Sequence, residues 1–164
     1  MHTPKTLLVY YSRSGNTRLV AETISATLPC DVEEIEDTKN RKGLFGYLRS
    51  GFDAYFKKLT TLKPLRYDPA PYDLVIIGTP IWNASLSAPV RTYLTLNKAR
   101  LKNVAFFCTC GGMGSRRVFH QMSEVCGRKP LDVLDIREAE VQCGEHTRRV
   151  HTFVASVTDA QAAA

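Results

Sequence analysis

No apolar stretch in this 164-residue chain is long enough to cross a membrane; the run that follows Lys5 lasts only from Leu7 to Tyr11. That run is also too short for the core of a secretory signal, so neither membrane insertion nor export is expected. Cysteine is scarce and unpatterned. Cys30, Cys108, Cys110, Cys126 and Cys143 make an odd count without the spacing of a disulfide framework, which implies a reduced, cytoplasmic protein. The four histidines lack zinc-ligand spacing, so no metal is expected, and His120, His146 and His151 read as solvated helix positions. Internal repeats and low-complexity segments are missing except for a frayed tail at 159–164. Any recognisable nucleic-acid motif is missing too. The formal net charge of +6 comes from lysines and arginines spread along the chain, denser between Lys39 and Lys63, so no nucleic-acid partner is expected.

The chain does contain material for one globular domain over residues 1–164, with 44 % apolar and 23 % charged residues. Strand-like runs at Thr6–Tyr11, Asp31–Ile35, Leu74–Gly78, Val104–Cys108 and Leu131–Val141 alternate with helical patterns. Those patterns lie near Asn16–Leu28, Gly43–Leu59, Pro89–Leu96, Ser115–Cys126 and Glu145–Val157. Several strands are continuously apolar, as strands covered on both faces are. The alternation predicts an α/β fold, a doubly wound sheet of five parallel strands. Right-handed crossovers then bring three loops to one edge: Ser12–Thr17, Thr79–Ser87 and Thr109–Ser115.

The first loop is the most informative. Ser12-Arg13-Ser14-Gly15-Asn16-Thr17 joins an apolar strand to a helix and aims hydroxyls and backbone N–H groups at the positive end of the helix dipole, a place suited to a phosphate. It has no Walker lysine, so nucleoside triphosphate hydrolysis has no support. The blander alternative is a turn with an N-cap. In the second loop, Thr79-Pro80-Ile81-Trp82-Asn83 carries the only tryptophan, which either stacks on a planar ligand or plugs the top of the core. The third loop, Thr109-Cys110-Gly111-Gly112-Met113-Gly114, has glycines that let backbone approach a ligand or simply keep the connection flexible.

In this order and spacing the three loops resemble those of the flavodoxin-like family, and the resemblance runs from about Lys5 to Val157. It implies strand order 2-1-3-4-5, FMN as cofactor and electron transfer through the flavin ring. Ser12, Arg13, Ser14, Gly15, Asn16 and Thr17 would then hold the phosphate. Thr79, Pro80, Ile81, Trp82 and Asn83 would lie beside the ring, with Trp82 stacked on it. Thr109, Cys110, Gly111 and Gly112 would meet the ring's carbonyl edge. None of these residues needs to be an acid–base catalyst. The chain departs from the acidic electron carriers of that family in being basic, and its third loop offers Cys110 and Met113 where a second stacking aromatic is often found.

Three functional readings stand at this point. One is an FMN electron-transfer protein with a dedicated, acidic redox partner. Another is an FMN-dependent NAD(P)H oxidoreductase that reduces quinones or similar small acceptors. The last is a flavin-free interaction module. Two local features are also open. Phe45, Leu48, Phe52, Tyr55, Phe56 and Leu59 follow helical spacing, which fits a helix covering the sheet, a lid over the flavin, or an aromatic surface for a partner or a homodimer. Cys108 and Cys110 point the same way on a strand and read as inert packing rather than a redox pair.

Overall fold

A computed structural model describes residues 4–163. The chain winds through β1 (Thr6–Tyr10), α1 (Asn16–Thr27), β2 (Asp31–Glu34), α2 (Gly43–Tyr55), β3 (Leu74–Trp82) and β4 (Ser85–Leu86). It continues through α3 (Ala88–Asn97), β5 (Asn103–Cys110), α4 (Ser115–Cys126), β6 (Val133–Arg137), α5 (Glu138–Cys143) and α6 (His146–Ala162). Five strands pair in parallel in the order β2-β1-β3-β5-β6. Counted among themselves, they stand in the expected order 2-1-3-4-5. The sheet nevertheless has six strands, not five, because β4 turns back antiparallel on the end of β3.

The two-residue period of the strands divides the core. Leu7, Val9, Val75, Ile77 and Phe106 face one side, with Val90, Tyr93 and Leu94 of α3 and Val118 and Met122 of α4. Leu8, Ile76, Phe107 and Ile136 face the other, under Val20 and Ile24 of α1 and Val150, Phe153 and Val157 of α6. Each such buried side chain contributes about 1.5–3 kcal/mol. Gly78, in mid-strand, has its own reason: a Cβ there would fall 2.0 Å from the Phe107 ring.

Several expectations are corrected. Strand β3 does not stop at Gly78 but runs to Trp82, so Thr79–Trp82 are strand residues. The run Leu131–Val141 is strand only over Val133–Arg137. There the Arg137 amide donates to the Glu140 carboxylate at 2.8 Å and starts α5, a short helix the apolar pattern did not separate. The tail is not frayed over 159–162, which extend α6 by carrying on its backbone bonding; Ala164 lies outside the described residues. His146 is buried rather than solvated, its ring bonded to the Thr23 hydroxyl at 3.1 Å and the Glu140 carbonyl at 3.3 Å.

Candidate functional site

The carboxyl ends of β1, β3 and β5 meet at one rim, and local bonds fix each loop there. Ser12 Oγ accepts from the amides of Gly15 (3.1 Å) and Arg18 (3.3 Å), which curls the first loop onto the start of α1. Gly15 has φ +101°, a left-handed conformation that a side chain resists, although the space around its absent Cβ is open. The amides of Asn16 and Thr17 lie in the first turn of the helix, where no preceding turn supplies an acceptor, so they remain as donors at the positive end of the dipole. Thr17 and Thr109 share a buried hydroxyl–hydroxyl bond of 2.7 Å that ties the first loop to the third.

The second loop is a tight hairpin. Asn83 and Ala84 take φ +49° and +53°, the pair of left-handed residues that a two-residue turn between right-twisted strands requires. Gly114 closes on this turn: a Cβ there would stand 3.0 Å from Ala84 Cα. Each loop is thereby braced against another.

The braced rim encloses a cavity of about 590 Å³. Arg13, Ser14, Pro80, Ile81, Trp82, Asn83, Thr109 and Gly111 line it, so every one of the three loops reaches it. Glu138, at the start of α5, adds a carboxylate, and Tyr47, Leu48, Gly51 and Phe52 of α2 form the facing wall. The Arg13 guanidinium lies 5.3 Å from the centre of the Tyr47 ring, bridging loop and wall.

This architecture has close counterparts among solved structures. A flavoprotein in complex with FMN from Lactobacillus acidophilus NCFM superposes with a TM-score of 0.72 at 26 % identity, covering 86 % of this chain and 98 % of that one. The chain has the flavodoxin-like fold. The oxidised Flavodoxin 2 from Bacillus cereus shares the flavodoxin-like fold with a TM-score of 0.61 at 19 % identity, covering 94 % of this chain and 98 % of that one. No protein-family model and no curated protein matches the sequence.

Among flavodoxin-like features, the remaining sequence candidates lie off the cavity wall. Ser12, Gly15, Asn16 and Gly112 shape the loops, and the hydroxyls of Thr17 and Thr79 are turned inward. Thr79 Oγ1 bonds the Pro80 carbonyl and Ser87 Oγ, both at 2.8 Å. Cys110 is buried with its thiol toward the Gly112 carbonyl, and burial raises the pKa of both it and Cys108. Both thiols are therefore held in the unreactive protonated form.

Trp82 stands between the two roles open to it. It is 7 % exposed, meets Tyr11 edge-on with ring centres 5.5 Å apart, and still borders the cavity. The Arg41 guanidinium sits 5.2 Å from its ring centre. Arg41 is itself buried, paired with Asp37 and with Asp53 of α2 at 2.9 Å. The α2 segment, for which a lid over the flavin was one of the open readings, supplies a wall of the cavity, although none of its residues was among the site candidates. Glu138 had none, being hidden in a run that resembled strand. Among the described residues no helix is long and apolar enough to cross a membrane.

Proposed function

We propose that this chain binds FMN in the three-loop cavity and transfers electrons through it. The observation that carries this reading is the convergence of all three loops on one cavity, through Arg13 and Ser14, Pro80 to Asn83, and Thr109 and Gly111, with the N-terminus of α1 directly after the first loop. The volume suits a ligand of that size. The space beside Gly111 and Gly112 is open where a Cβ would stand, so backbone can approach a flat ring edge. The flavoprotein from Lactobacillus acidophilus with similar architecture was solved with FMN.

In this reading the amides of Asn16 and Thr17 and the Ser14 hydroxyl donate to the phosphate, each charge-assisted bond contributing about 1.5–3 kcal/mol. Arg13 supplies the formal positive charge. Trp82 and Ile81 present apolar surface to the ring, and the Gly111 amide meets its polar edge. FMN supplies the one- and two-electron chemistry; the chain orients it and excludes water from one side.

The test is a visible spectrum after incubation with FMN and desalting. Retained flavin absorbance with quenched fluorescence is expected, and a colourless protein would favour the flavin-free module. Gly15→Val should weaken FMN at least about tenfold. The reason is not crowding, since the site is open, but the φ of +101° that valine disfavours. Unchanged affinity would remove the first loop from the site.

A second reading, NAD(P)H oxidoreductase acting on quinones, draws on one observation. Met113 is 89 % exposed and is not on the cavity wall, so the third loop sets no large side chain there and leaves room for a second planar ligand. Rapid NAD(P)H oxidation coupled to quinone turnover would favour it; inertness to NAD(P)H would favour a carrier with an acidic protein partner.

A further inference from the structure

We infer that the outward face of α2 docks on an anionic lipid-bilayer surface. Leu44, Phe45, Leu48, Phe52, Tyr55 and Phe56 fall within an arc of about 120° at the helical turn of 100° per residue, and all are exposed. The inward face holds Gly46, Ser50, Asp53 and Ala54. That orientation is locked from inside. Asp53 is paired with buried Arg41, and a Cβ at Gly46 would strike the Arg41 backbone at 2.2 Å. The apolar face therefore has no route into the chain's own core.

Along the segment that carries this face the exposed charge has one sign. Lys39, Lys42, Arg49, Lys57 and Lys58 are exposed, and the only acid between Thr38 and Tyr67 is the inward-facing Asp53. A second copy of the chain fits poorly, because a two-fold contact would set these cations against themselves. A protein partner fits less well than a membrane. Lysine is depleted at protein interfaces, and lysine outnumbers arginine here. Leucine and phenylalanine flanked by lysine make up the surface of helices that lie in the bilayer interface. Lys58 adjoins the apolar arc directly, its Nζ 4.6 Å from the Phe52 ring centre.

Docked this way, the apolar arc enters the headgroup boundary and the cations meet anionic lipid. Leu48 and Phe52 belong to the cavity wall as well, so the mouth of the cavity lies at the membrane surface. The inference does not depend on the FMN reading, and its test uses no flavin signal.

The experiment is vesicle flotation of the full chain with phosphatidylcholine alone and with phosphatidylcholine mixed with phosphatidylglycerol. The protein should float with the mixed vesicles, stay down with the neutral ones, and release at high salt. The double variant Phe45→Ser/Phe56→Ser should lose at least about tenfold in binding. Its far-UV circular dichroism and melting temperature should be unchanged, since both side chains point outward. Lys57→Glu/Lys58→Glu should lose binding comparably. A folded wild type that fails to float with anionic vesicles overturns the inference. So does flotation that the phenylalanine variant leaves intact, which would reduce the contact to charge. Failure to float together with a dimer by sedimentation velocity, split by Phe45→Ser, would assign the face to self-association. Failure to float as a monomer would leave an acidic protein as its partner.

Discussion

Helices α1 and α2 come one after the other in the chain, are nearly equal in length, and each carries one apolar face, yet they orient it oppositely. In α1, Val20, Ala21 and Ile24 are buried against the sheet. In α2 the buried residues are Gly46, Ser50, Asp53 and Ala54, while Leu44, Phe45 and Leu48 look out. The difference lies in what is underneath. Beneath α1 is an apolar sheet face built from Leu8, Ile76 and Phe107. Beneath α2 is the buried Arg41, clamped by Asp37 and Asp53 against Trp82. A helix resting on ions needs a small, polar underside, because an apolar one would leave those charges unpaired. Amphipathicity tells that a helix has two faces; the surface beneath decides which one turns in.

The strongest way to break this contrast is to remove the ion that α2 rests on. Arg41→Ala should destabilise the protein by about 3–5 kcal/mol, since Asp37 and Asp53 would stay buried without their cation. Urea unfolding measures it, and a loss below about 1 kcal/mol would mean that water already reaches the pair. The matching change in α1 is Ile24→Ala. Ile24 is fully buried, so the truncation should cost about 3 kcal/mol through lost transfer energy and the cavity left behind. A much smaller cost would show that α1 shifts to fill the gap, and the two helices would differ less than their burial suggests.

How much of this was legible in the sequence depended on whether the deciding physics is local. Strands β1 and β5 were legible, as the runs Thr6–Tyr11 and Val104–Cys108, because continuous apolar runs between helical patterns have one good solution in a parallel sheet. Seven of the residues named from the three loops were not on the cavity wall for reasons no pattern carries: the Thr17 hydroxyl, for example, pairs with Thr109 across 92 residues of chain. The extension of β3 past Gly78 was hidden by Pro80, which reads as a breaker but sits next to the hairpin where strand pairing changes partner. Helix α5 was hidden inside the strand-like run Leu131–Val141, which the Glu140–Arg137 bond interrupts. The inward ion cluster was the least legible. Asp37, Arg41 and Asp53 look like surface residues on composition alone, and only the fold places them together.

The smallest expected effect is the sharpest test of the comparison. Phe45→Ala removes a larger side chain than Ile24→Ala does, so an account based on residue type alone predicts the greater loss at position 45. The structure reverses that order. Phe45 is 87 % exposed, its ring touches mostly solvent in the folded and unfolded chain alike, and the substitution should change stability by less than about 0.5 kcal/mol. Alanine's better helix propensity offsets part of even that. Urea unfolding of both variants at two protein concentrations checks the prediction. A loss above about 1 kcal/mol at position 45 that grows with concentration would mean the face is already covered by another copy in solution. A loss that ignores concentration would mean that α2 turns its aromatic face inward, and the contrast with α1 would collapse.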